Sequence, residues 1–285
     1  MSAGYERADH RPLREPVLVV AMEGWIDAGF AAAGAAGTLL GGLDTEPVAT
    51  FDSDELLDHR ARRPVLSIVD GVSERLAWPG IELRAARDLN GRDLLLLVGA
   101  EPDHSWRAFA IAVLDIAQEL DTRMLVHLGA YPAAVPHTRQ ALLSITAAKP
   151  ELAHRWTFGR GTLDVPAGIQ AVLERFAGDR GMDALGLWAQ VPHYTSAAGY
   201  PAASLALLEA LATVSGLALP SGDLEVEARN TEARLDEAVA RNPEHKAMIE
   251  LLEQQADSAT GVGPLPSGDE LAAEVERFLR GEGER

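Results

Sequence analysis

The run Pro16-Val-Leu-Val-Val-Ala-Met22 limits what this chain can fold into more than any other segment. It is continuously apolar, rich in β-branched residues and of strand length. A strand without polar alternation must be covered on both faces. The stretch that follows, Asp27 to Leu40, is almost all alanine and glycine, a composition that lets a helix lie close against a sheet. The unit reads strand, turn, helix. The same grammar recurs at Leu94 to Gly99 with a helix from about Ser105 to Leu120, at Met124 to Gly129, and at Ala184 to Val191. Strands alternating with helices predict an α/β fold, a three-layer αβα core around a mostly parallel sheet.

Two segments interrupt the alternation. Pro64 to Asp70 and Ile81 to Arg87, joined by a turn-rich stretch, predict a hairpin insertion or antiparallel edge near residues 64–87. Apolar strand edges left open there mark a candidate oligomer contact. After a helix near Ala202 to Ser215, the stretch Leu217 to Gly222 places a boundary, with the α/β core in residues 1–220 and an acidic helical segment in 221–285. Within that segment Asp223 to Ala240 and Pro243 to Ala256 have helical spacing, and Glu270 to Arg280 forms a last amphipathic helix beyond the loop Gly261 to Gly268. The apolar stripe Leu224, Val226, Leu235, Val239, Met248, Leu251 and Leu252 needs a surface to cover. A C-terminal helical lid over the strand-end rim, hinged at Leu217 to Gly222, answers that need.

Composition excludes several functions. The chain has no cysteine, which removes disulfides, thiolate nucleophiles and thiolate-held metals, and fits the cytoplasm. Met1 to Glu15 is polar, and the longest stretch free of acidic, basic and histidine side chains, Ala28 to Leu43, is short and full of glycine and alanine, so neither a signal peptide nor a membrane span is expected. The formal net charge is −18, and residues 221–285 hold 16 acidic and 7 basic side chains. Such a field repels phosphate backbones, so no nucleic-acid partner is expected. The G-x-S-x-G, H-E-x-x-H and G-x-G-x-x-G patterns are missing, and neither Lys149 nor Lys246 follows a glycine as a P-loop requires. No cofactor is expected.

In a parallel sheet, ligands bind beyond the carboxyl ends of the strands. The phrases there are Glu23-Gly-Trp-Ile-Asp-Ala-Gly29, Gly99-Ala-Glu-Pro-Asp-His-Ser-Trp-Arg107, Gly129-Ala-Tyr-Pro132 leading to Pro136-His-Thr-Arg139, and Val191-Pro-His-Tyr194. They supply the candidate ligand-binding residues Gly24, Asp27, Glu101, Tyr131, His137, Arg139 and His193, with Glu101 and His137 as catalytic candidates. Each has a plainer role open to it. Gly24 and Gly29 suit tight turns, Asp27 and Asp103 can cap the helices they precede, and Arg60, Arg62 and Arg63 suit inter-subunit salt bridges. His137 and His193 lack the neighbouring carboxylates that a metal site needs, so no metal is expected.

Together with Asp58-His-Arg-Ala-Arg-Arg-Pro64, these phrases resemble, in order and over about residues 15 to 255, the family named for proteasome assembly chaperone 2, in its actinobacterial branch. The resemblance implies a core similar to purine nucleoside phosphorylases, a hairpin used for assembly into a trimer, and a helical lid over a ligand site. It implies no known reaction. The expected function is a noncatalytic assembly-chaperone-like or ligand-binding protein, homo-oligomeric, meeting a protein partner or a small molecule. The alternative is a small-molecule hydrolase or phosphorylase-like enzyme with Glu101 and His137 as acid and base and Arg139 on an anion. Convergence of the rim residues in one water-excluding cleft favours chemistry; dispersal into satisfied pairs favours interaction.

Overall fold

A computed structural model describes residues 4–258. The chain runs through β1 (Tyr5–Arg7), β2 (Val17–Glu23), α1 (Ala31–Gly42), β3 (Thr45–Phe51) and the short α2 (Ser53–Leu56). Next come β4 (Val65–Val69), β5 (Val72–Ala77), β6 (Ile81–Arg87), β7 (Asp93–Ala100), α3 (Trp106–Glu119) and β8 (Met124–Ala133). They are followed by β9 (Leu143–Ala147), α4 (Pro150–Arg155), α5 (Ile169–Asp179), β10 (Asp183–Pro192), α6 (Pro201–Ser215), α7 (Leu224–Ala240) and α8 (Pro243–Ser258). The helix expected at Glu270 to Arg280 and the loop before it lie outside the described residues.

Eight strands make one sheet in the order β1-β3-β6-β7-β2-β8-β10-β9. The central four, β7, β2, β8 and β10, are parallel, and antiparallel strands flank them on both sides. The continuous apolar character of β2 follows from this place. Val17, Val19 and Ala21 pack with α1 and α6 on one face, while Leu18, Val20 and Met22 pack with α3 and α5 on the other. Every one of the six is buried. The flanking β3 and β9 carry no comparable signal, because Thr-Glu-Pro-Val-Ala-Thr-Phe and Leu-Ser-Ile-Thr-Ala mix polar residues into partly covered strands. Pro47 lies where the β3–β6 register shifts, a place that tolerates a missing N–H.

The hairpin differs from the expected one. Val65–Val69 pairs with Val72–Ala77, and Ile81–Arg87 leaves it to enter the main sheet between β3 and β7. Asp70 and Gly71 explain the change: both have positive φ, 48° and 81°, and form a two-residue turn whose twist suits adjacent antiparallel strands. Among the described residues no helix covers the resulting two-stranded sheet, and its valine, leucine and isoleucine side chains are exposed.

The C-terminal helices bury a narrower stripe than expected. Leu224 and Thr231 on α7 and Ile249 and Leu252 on α8 are buried, and Leu235 packs against the core. Val226 and Leu251 instead face solvent, 49% and 55% exposed, because α7 rests on α6 along one side only. The expected hinge is tied down as well: Ala218 N–H donates to Asp88 Oδ2 at 2.8 Å, and Leu89 N–H donates to Ala218 O at 2.9 Å.

One buried polar group interrupts the layer between the sheet and α5. His127 is fully buried and its Nε2 meets Glu174 Oε2 at 2.9 Å, with Thr146 Oγ1 donating to the same oxygen at 2.6 Å. Gly186 on β10 makes room for the ring, since a Cβ there would stand 2.2 Å from Nε2. Gly186→Ala is therefore expected to lower stability by about 1–3 kcal/mol through overpacking. The check is a lower urea midpoint with an unchanged m-value.

Candidate functional site

The chain leaves the adjacent parallel strands β2 and β7 toward opposite faces, into α1 and α3 respectively. That divergence opens a crevice at their carboxyl ends, the position where open α/β sheets hold ligands. Gly24 and Glu101 stand there. Glu101 N–H donates to Glu23 O at 2.9 Å, joining the two strand ends, and its Oε1 accepts the Ile169 N–H at 2.7 Å. The carboxylate thus sits at the start of α5, where unpaired N–H groups and the helix dipole favour negative charge. Burial nevertheless raises the Glu101 carboxyl above its ordinary value, against the lowering effects of the Ile169 N–H and the nearby Arg62 charge. Gly24 lies alongside, with room for a side chain at 4.0 Å from the Glu101 oxygens. Trp25, 46% exposed, borders the same crevice.

Asp27 heads the next helix. Its Oδ1 and Oδ2 accept the N–H groups of Ala32 and Ala33 at 2.9 and 3.0 Å, and burial raises its carboxyl. Both rim carboxylates are therefore committed to helix starts. Phe30, one turn further, holds a left-handed conformation at φ 50° with its ring 58% exposed. A bulky residue in that region is strained, and strain of this kind gathers at functional surfaces. No residue pattern announces it.

A second cluster forms beyond β8 and β10. The Tyr194 hydroxyl lies 2.8 Å from both the backbone N and Nδ1 of buried His137. Asp236 Oδ1, 3.3 Å from Nε2, is a carboxylate oxygen that can only accept, so Nε2 donates to it, and in the neutral ring Nδ1 then accepts the tyrosine proton. Burial pushes the Tyr194 hydroxyl up to about 12. His193 packs edge-to-face on Tyr194 with ring centres 5.2 Å apart. Arg139 forks onto both carboxylate oxygens of Asp257 at 2.9 Å and reaches Glu253 Oε1 at 3.1 Å, while Thr138 Oγ1 donates to Glu253 Oε1 at 2.6 Å. These acids belong to α8, as Asp236 belongs to α7, so both helices are latched to the loop after β8. Their part is invisible in sequence, since acidic residues on amphipathic helices read as a solvated face.

Tyr131 belongs to neither cluster. It is buried among the strands, its hydroxyl 2.8 Å from Ser144 Oγ and pushed up to about 12 by burial. The seven candidates thus separate into a crevice group, Gly24 and Glu101 with Asp27 beside them, a latch group of His137, Arg139 and His193, and Tyr131 inside the sheet. Among the described residues no hydrogen bond or ion pair joins Glu101 to His137, and their partners come from α5 and α7 respectively. The arrangement orders the starts of α1 and α5 and ties α7 and α8 to the loop after β8. Among the described residues, no three histidine, aspartate or glutamate side chains gather to hold a metal ion, and no helix is long and apolar enough to cross a membrane.

The model of the PAC2 family matches residues 21–239. A solved structure of a Mycobacterium tuberculosis protein of unknown function is similar at 37% identity and a TM-score of 0.85, covering 98% of this chain and 96% of that one. The proteasome-assembly chaperone homologue of Mycobacterium tuberculosis is 33% identical with a TM-score of 0.76, over 82% of this chain and 99% of the other. A PAC2 family protein from Streptomyces avermitilis is 35% identical with a TM-score of 0.73, over 78% and 95% of the two chains. None of the curated proteins matches.

The raised Glu101 carboxyl has a signed consequence. Its favourable contribution is complete below about pH 4 and is lost as pH rises through the raised folded value. Glu101→Gln keeps an acceptor for Ile169 N–H and is expected to flatten that decline. Glu101→Ala orphans the N–H and should cost about 1–3 kcal/mol across the range. Urea titrations from pH 4 to 8 check both.

The latch behaves oppositely. Arg139 holds the Asp257 carboxyl below its ordinary value, so the contribution of the pair is present above the usual carboxylate range and fades as pH falls. Arg139→Ala is expected to speed amide exchange in α8 while β2, β7 and β8 keep their protection.

Proposed function

Because the chain belongs to the PAC2 family, we propose that it is a noncatalytic, assembly-chaperone-like protein that self-associates through the β4–β5 hairpin and offers its strand-end rim and acidic helices to a protein partner. The hairpin carries this reading. Val65, Leu66, Ile68, Val69, Val72, Leu76 and Trp78 are between 48% and 67% exposed. A lone two-stranded ribbon is marginally stable in water, and a contiguous apolar surface of this kind marks a place where another molecule sits. A second and third copy of the same hairpin supply matching apolar surface, which makes a closed trimer the proposed assembly.

The dispersal of Glu101, His137 and Arg139 into separate, internally satisfied groups supports this reading over a hydrolase or phosphorylase. The name borne by the Mycobacterium tuberculosis relative makes the proteasome the first partner to test. The net charge of −18 argues against nucleic acid, and the cysteine-free composition suits the cytoplasm.

Sedimentation velocity at micromolar concentration is expected to give three times the chain mass. Ile68→Asp combined with Val72→Asp should give a monomer with an unchanged far-ultraviolet spectrum, because neither side chain contributes to the buried core. A monomeric wild-type chain would sink the assembly reading. Binding to purified proteasome, measured with the same two proteins, tests the partner separately.

A further inference from the structure

At the end of the sheet opposite the hairpin, where β2, β7 and β8 begin, a cavity of about 320 Å³ opens between Arg14, Glu15, Arg92, Asp93, Arg123 and Leu217. Three guanidinium groups meet there in a chain whose net charge is −18. Among the described residues, no carboxylate forms an ion pair with Arg14, Arg92 or Arg123.

Their internal bonds leave most of their donors over. Arg92 and Arg123 each give one N–H to the end of α6, at the carbonyls of Gly216 and Ser215. That accounts for helix capping, which uses one of the five donors on each fork. The Arg14 side chain has no hydrogen bond among the described residues. Asp93, the buried acid of the wall, is already engaged: Oδ1 meets Arg11 at 2.5 Å and Arg87 at 3.5 Å, and Oδ2 accepts the Arg14 backbone N–H at 2.8 Å. Glu15 is the one acid of the lining left to offset the cluster, and it acts on Arg123 at a distance. Burial first, and then the charge of Arg92, hold the Arg123 guanidinium below its usual range. An anion between the two relieves that repulsion.

We propose that this cavity is a binding site for a small ligand carrying two or more oxyanion groups, phosphate or carboxylate, clamped by Arg14, Arg92 and Arg123. Guanidinium forks match both kinds of oxyanion, and the volume lies at the lower end of small-molecule pockets, which begin at about 300 Å³. The site is independent of the assembly reading and sits at the other end of the sheet, so either can fail without the other.

Isothermal titration of the full chain with pyrophosphate and with citrate, at about 150 mM ionic strength where loose surface attraction is screened, tests it. At least one of the two is expected to bind with one site per chain and a Kd below about 1 mM. Pyrophosphate alone assigns a phosphate ligand, citrate alone a carboxylate, and both a shared oxyanion clamp. Arg14→Gln, which breaks no internal side-chain bond, and Arg92→Gln are each expected to weaken binding by about tenfold or more, while Arg229→Gln on α7 leaves it unchanged. No binding of either anion, binding that survives both cavity variants, or equal weakening by Arg229→Gln overturns the proposal and leaves Arg92 and Arg123 as caps of α6.

Discussion

Every other feature of this structure depends on the need to cover β2 from both sides. A strand of six consecutive buried apolar residues has no wet face, so helices must close on the sheet from both directions. Once α1 and α6 occupy one face and α3 and α5 the other, the chain has to leave neighbouring strands in opposite directions. The crevice between β2 and β7 is a geometric result of that divergence. The hairpin is its complement: with both faces of the main sheet already filled, residues 65–77 pair with each other and, among the described residues, keep their apolar side chains exposed.

The rim shows how helix ends consume polar chemistry. Asp27 caps α1, Glu101 caps α5, and Arg139 is divided between two acids of α8. Each group is the type that an active site would use, and each already has a partner inside the chain. Buried carboxylates tolerated at such places need fixed N–H donors, since an unpaired charge there costs far more than the cap returns. The outcome is a stiff frame around the crevice, with α7 and α8 fastened on the β8 side by Asp236, Glu253 and Asp257.

The carboxyl end of the sheet is bordered by the apolar hairpin and by the acids that tie α7 and α8 to the loop after β8, and at the amino end Arg14, Arg92 and Arg123 gather beside Glu15 and Asp93. Placing cations where α6 terminates offsets the negative end of its dipole. It also concentrates positive charge at one spot on a strongly acidic protein, a contrast that a diffusing anion senses over about a Debye length.

The sequence by itself determined the layer order and the identity of the rim phrases. Unbroken apolar runs report burial on both faces, and the residues after them must lie at the strand ends. The Asp27 cap was legible for the same local reason. The flanking strands β3 and β9 were not, because half-covered strands dilute the apolar pattern. The Asp70-Gly71 turn was readable as a hairpin signal, yet its consequence, β6 moving into the main sheet, depends on a vacancy beside β7 that only the assembled sheet presents. Tertiary structure alone decided which rim residues meet. Glu101 and His137 follow neighbouring units in sequence, but α5 and α7 approach the rim from opposite faces and take one residue each. The arginine cavity was settled in the same way, since Arg14, Arg92 and Arg123 come from three distant segments and share a place only because β2, β7 and β8 start at one level of the sheet. Local pattern records how deeply a side chain is buried; which distant side chain stands beside it is fixed by the order and direction of strands that the pattern does not encode.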